Sequence, residues 1–128
     1  MAEGENTWRW RIGLALVSIA TLALSVVAYA DRLPPRLNEA DKVLHFTVAG
    51  LLAFFLDRST GGRSLKWAAA LLVVIGAEEF AQRWSSVRTS SIADYAADVA
   101  GVVVFTFLSR RLFSSKAGSA NATDDVPK

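Results

Sequence analysis

The chain has 128 residues, enough for one domain, and 52% of them are hydrophobic while the formal net charge is only +2. So small a charge gives no basis for a nucleic-acid partner, although a pI near 9.3 suits an anionic membrane surface. Cysteine is absent, which excludes disulfides, zinc–thiolate sites and cysteine nucleophiles.

The apolar residues are bunched into four runs. Ile12–Ala30 carries no charge and is long enough to cross a hydrocarbon core of about 30 Å at about 1.5 Å per residue. A signal peptide is the alternative, because "WRWR" precedes the run and "AYA" follows it, but the run exceeds the usual apolar length of such a segment. Retention as a transmembrane helix is the expectation. Val43–Leu56 is shorter and holds the single histidine, His45. Leu65–Ala77 continues directly into "EEFAQRW", and Ser91–Leu108 opens with two aspartates one helical turn apart. The last three runs must bring polar residues to membrane depth or to its edge.

Between them lie connectors. "DRLPPRLNEADK" contains a Pro-Pro pair that turns the chain, "DRSTGGRS" is a loop with two glycines, and residues 114–128 are small and polar. With four spans, nine Lys and Arg residues fall on the side of the two termini and five on the other, so both termini are expected in the cytoplasm. The expected fold is all-α: a polytopic transmembrane four-helix bundle, up-down-up-down. Its parts are a cytoplasmic N-terminus (1–11), a transmembrane domain (12–113) and a disordered cytoplasmic tail (114–128). Trp8, Trp10, Trp67 and Trp84 read as residues of the membrane interface.

In such a bundle three polar helix ends share the outer side. Asp41, Lys42 and His45 begin the second helix, Glu78, Glu79, Gln82 and Arg83 end the third, and Asp94 and Asp98 begin the fourth. Asp41 and His45 are i and i+4, as are Asp94 and Asp98, so each helix offers a one-turn polar stripe. Facing lipid would be costly, so the stripes should face one another. The opposite ends are expected to reach their loops through apolar residues alone. Ala49 and Ala53, then Gly76, Ala77 and Ala81, then Ala93, Ala97 and Gly101 are small residues that permit close helix approach.

"DKVLHF", "EEFAQ" and "RTSSIADYAADVAG" together resemble the successive signatures of the VanZ-like membrane protein family, named after a teicoplanin-resistance accessory protein. The family pattern is roughly D-K-x-x-H-F, then E-x-x-Q, then R-x-x-S-x-x-D-x-x-x-N-x-x-G. Matching positions are Asp41, Lys42, His45 and Phe46, then Glu79 and Gln82, then Arg88, Ser91, Asp94, Asp98 and Gly101. Asp98 replaces the usual asparagine, which adds a charge, and the second glycine that often follows Gly101 is missing. The resemblance spans about residues 41–105. It implies a small multi-pass protein of the bacterial cytoplasmic membrane, some of whose relatives lower glycopeptide susceptibility. It implies no molecular activity.

Each polar residue has a structural and a functional account. Ser91 and Asp94 fit a capping box, while Asp98 lies a turn too deep to cap and would pair with Arg88 or Lys42. Asp41 fits the first turn of a helix capped by Asn38. His45 is either a neutral histidine bonded to Asp41 or to a backbone carbonyl, or an acid–base or ligand group oriented by Asp41. The candidate catalytic residues are thus Asp41, His45, Glu79 and Asp98. Lys42, Gln82, Arg88 and Asp94 are candidates for binding, with the Arg88 fork suited to an anionic group. No cofactor is expected. One nitrogen and several oxygens are chemically adequate for Mg, Mn or Zn, but a second histidine at metal spacing is missing.

Three functions follow. The cluster binds or acts on an anionic lipid-linked envelope intermediate, or it pins the helices of a non-enzymatic partner or modulator protein. The third, a proton- or ion-coupled transporter, would require a homo-oligomer, because four spans are few.

Overall fold

The computed structural model describes residues 4–30, 40–62, 65–84 and 91–114. They form four helices and, among the described residues, no strand: α1 (Gly4–Tyr29), α2 (Asp41–Ser59), α3 (Lys66–Gln82) and α4 (Ile92–Ser114). Each apolar run is the body of one helix. Polar residues extend α2 past Leu56 to Ser59 and α4 past Leu108 to Ser114, because Arg and Ser tolerate a helix already under way. Gly61 and Gly62, at φ of 77° and 65°, then close α2, and the Gly62 N–H donates to the Asp57 carbonyl at 2.7 Å. The Pro34–Pro35 connector, Asn38, Arg88 and the tail from residue 115 lie outside the described residues.

Successive helices alternate in direction. His45 meets Asp98 while Asp57 meets Ser109 and Arg110, so α2 and α4 run parallel. α1 is antiparallel to α2, with Trp10 against Phe54 and Phe55 and Ser25 at the other end near Glu78. α3 brings Glu79 to Ser91 at the start of α4, which makes it antiparallel as well. α2 is central and packs against all three others, whereas the backbone of α1 approaches only α2. The four helices therefore do not close into a symmetric ring.

The α2–α4 seam is the tightest contact. Ala49, Ala53 and Val102 are buried there, and a Cβ on Gly101 would overlap the carbonyl oxygen of Phe46. Small residues let these two backbones meet, as the sequence suggests. The pattern does not hold throughout, because Ala77, Ala81 and Ala93 are exposed. They lie on faces that no helix covers.

The interior is polar and the exterior apolar. Asp57, Glu79, Gln82, Asp94, Asp98, Thr106 and Ser109 are buried, while Leu16 (63% exposed), Leu22 (67%), Val73 (71%) and Phe107 (61%) face outward. Two stretches, Thr7–Ala28 and Ile92–Phe113, are long and apolar enough to cross a membrane. The 17 residues of α3 fall short of the ~20 usually needed, and α2 carries charges at both ends.

Candidate functional site

α2 starts at Asp41 with Ala40 in the N-cap position and no side-chain cap, so Asp41 occupies the first turn. One turn later, His45 projects from the same face. Its Nδ1 lies 3.1 Å from both carboxylate oxygens of Asp98, while its Nε2 lies 3.6 Å from Asp41 Oδ1. An ionised carboxylate only accepts, so the Nδ1–H donates to Asp98 and Nε2 is left toward Asp41. The orienting carboxylate is therefore Asp98, whereas the sequence suggests Asp41. Asp98 pairs with the histidine instead of Lys42, whose Nζ stands 3.9 Å from Asp94.

Glu79 reaches across from α3. Its Oε1 accepts the backbone N–H of Ser91 at 2.8 Å. The Ser91 hydroxyl accepts the Asp94 N–H at 3.1 Å and donates to Asp94 Oδ2 at 2.6 Å. In an ordinary capping box the acid three residues on would take the N–H of the cap residue itself. Here Glu79 takes it, so an α3 side chain caps α4. The serine half of the capping box forms as the signature indicates, but the Asp94 carboxylate bonds the Ser91 hydroxyl instead of its N–H; its other oxygen, Oδ1, is buried without a hydrogen bond.

Gln82 is buried and its Nε2 donates to Glu78 Oε1 at 3.5 Å. Glu78 also accepts from the Ser25 hydroxyl of α1 at 3.4 Å. Asp41, His45, Glu78, Glu79, Gln82 and Asp98 line a cavity of about 80 Å³, which Thr21, Ser25 and Ala28 close from α1. The reading of α1 as a plain apolar span misses this wall, although Thr21 and Ser25 at i and i+4, followed by Ala28, place two hydroxyls and a small residue on one face. No Lys or Arg among the described residues lines the cavity. One nitrogen of His45 and one oxygen each of Glu79 and Asp98 lie within 4.8 Å of one another, a set able to hold a metal ion.

The expectation of purely apolar helix ends on the other side fails. Asp57 is buried there and accepts from the Ser109 hydroxyl at 2.8 Å and from Arg110 Nε and Nη2 at 3.3 and 3.2 Å. The Arg58 guanidinium lies 4.0 Å from the Phe113 ring centre and 5.6 Å from that of Trp10. Trp10 in turn packs edge-on to Phe54 and Phe113, so it belongs to an aromatic cluster within the chain. Trp8, Trp67 and Trp84 are exposed. Nothing local announces the Asp57 cluster: "DRS" falls in the stretch read as a loop, and "SRR" enters the sequence reading only as charge near the C-terminal end.

Comparison of the chain with protein-family models, curated proteins and solved structures finds no match.

Proposed function

We propose that this chain is a VanZ-like, multi-pass protein of the bacterial cytoplasmic membrane whose His45–Asp98 centre binds or acts on a lipid-linked envelope intermediate. One observation carries the reading: a histidine held by a buried carboxylate opens, with Glu79, onto a cavity inside a molecule whose exterior is apolar. Eight of the positions on which the family resemblance rests, Asp41, Lys42, His45, Glu79, Gln82, Ser91, Asp94 and Asp98, gather at this end of the helices, which supports the assignment. The part α1 plays in the cavity wall supports its retention as a span. The outward-facing Trp67, Val73, Val74 and Phe80 of α3, and the packing of α2 among the other three helices, support four crossings, with both termini cytoplasmic.

In this reading His45 moves a proton and Asp98 fixes the tautomer that leaves Nε2 available. Carboxylates repel a bare phosphate, so the acidic cavity takes hydroxyl or amide donors of the intermediate. The phosphate lies at the rim, beside exposed Lys42. Glycopeptide susceptibility would change because the intermediate is a precursor of the antibiotic's target. The test is complementation together with membrane abundance of His45→Ala in a strain lacking the protein. Normal abundance with lost function supports the reading; normal function sinks it.

The second reading, a non-enzymatic membrane protein, rests on a different observation. Glu79, Ser91 and Asp94 are consumed in starting α4. On that reading, loss of function always tracks loss of protein.

A further inference from the structure

We propose that His45, Glu79 and Asp98 form the protein part of a binding site for one divalent transition-metal ion. The three donors come from α2, α3 and α4, and one ligand atom from each lies within 4.8 Å of the others. Two donors on opposite sides of one ion at about 2.4 Å are themselves about 4.8 Å apart, so all three fit one coordination sphere. Shorter bonds of about 2.0–2.2 Å, as for zinc, require only that the side chains close inward.

Burial and charge point the same way. Glu79 and Asp98 are 8% and 4% exposed, and Asp41 and Glu78 add acidic groups to the same cavity, which no described Lys or Arg lines. Buried carboxylates are ordinarily paired or bound to a metal. Among the described residues that line the cavity, His45 is the one group able to carry positive charge, and a dication held between the three donors would add to it. One imidazole with two carboxylates favours zinc or manganese over calcium, which prefers oxygen alone. The cavity of about 80 Å³ leaves room for bound water on the open side of the ion. Outer contacts already hold the ligands: the Ser91 N–H fixes Glu79, and buried Gln82 and half-buried Asp41 stand beside them. The ligands lie 34 and 19 residues apart in the chain, so no local spacing announces the site.

This site stands on its own geometry and does not depend on the envelope-intermediate reading. The test uses the full chain in detergent micelles, stripped with chelator and titrated with Zn²⁺ or Mn²⁺ alone, with no lipid intermediate present. The expected result is one ion per chain, bound at least 10-fold more weakly by Asp98→Asn and by His45→Ala. Pulsed electron paramagnetic resonance of the Mn²⁺-loaded wild type should show coupling to an imidazole nitrogen, a signal that needs no variant to fold. Absence of stoichiometric binding overturns the proposal. So does a bound Mn²⁺ without nitrogen coupling, or unchanged affinity in folded variants. Metal binding with normal function of His45→Ala in cells would retain the site and remove the envelope reading.

Discussion

His45 and Asp98 stand 53 residues apart in the chain, yet the imidazole Nδ1 is 3.1 Å from both oxygens of the carboxylate. Asp98→Ala should leave the buried Nδ1–H without a partner, at a cost of about 1–3 kcal/mol. Asp98→Asn keeps an acceptor oxygen and should cost less. Thermal unfolding of the three proteins in one detergent checks the order: wild type above Asn, and Asn above Ala. An alanine variant as stable as wild type would show that the pair does not hold the helices.

Gly101→Ala should be among the most damaging single-methyl changes in the chain. The added carbon meets the backbone carbonyl of Phe46, which cannot rotate away as a side chain does. Overpacking of this kind costs about 1–3 kcal/mol. Gly76→Ala is the control, since its Cβ would lie 3.4 Å from the nearest Tyr95 ring atom, an ordinary contact. Membrane abundance should fall for the first and hold for the second.

Ser91→Ala removes both hydroxyl bonds that begin α4, and loss of a cap costs about 0.5–2 kcal/mol. Glu79→Gln preserves an oxygen for the Ser91 N–H, whereas Glu79→Ala removes it. Hydrogen exchange at the first turn of α4 should therefore accelerate in Ser91→Ala and Glu79→Ala but remain slow in Glu79→Gln.

Asp57→Ala strips the acceptor from Ser109 and Arg110. Because the Arg110 side chain is 36% exposed and partly screened by solvent, the loss should be about 1–2 kcal/mol, less than for a fully buried pair. Stability should drop while metal affinity at the far end stays within 2-fold. Isothermal titration alongside thermal unfolding separates the two effects.

What the sequence discloses depends on whether the signal is local. Four helices are legible because each apolar run is continuous. The Ser91–Asp94 cap is legible because both partners lie within one turn. The Asp41–His45 stripe is also found, but its use is not: the ring turns to Asp98, and only the α2–α4 packing determines that choice. The same applies to Glu79, whose bond to the Ser91 N–H crosses from one helix to the next. Asp57 was hidden for the same reason. Its partners Ser109 and Arg110 lie beyond the apolar run of α4 and 52 and 53 residues away in the chain, so no local pattern joins them to it.

If α2 and α4 cross a membrane as proposed, their equal offset bears on the lipid around them. Twelve residues separate His45 from Asp57 and likewise Asp98 from Arg110, so the two polar clusters are about 18 Å apart along the helix axis. A hydrocarbon core is about 30 Å thick. A protein placed midway would therefore hold each cluster about 6 Å beneath the headgroups, or draw the two leaflets together around itself. The thinner membrane should suit it better. On the envelope reading, a lipid-linked headgroup would reach His45 either beneath the usual water boundary or through a leaflet drawn in toward it.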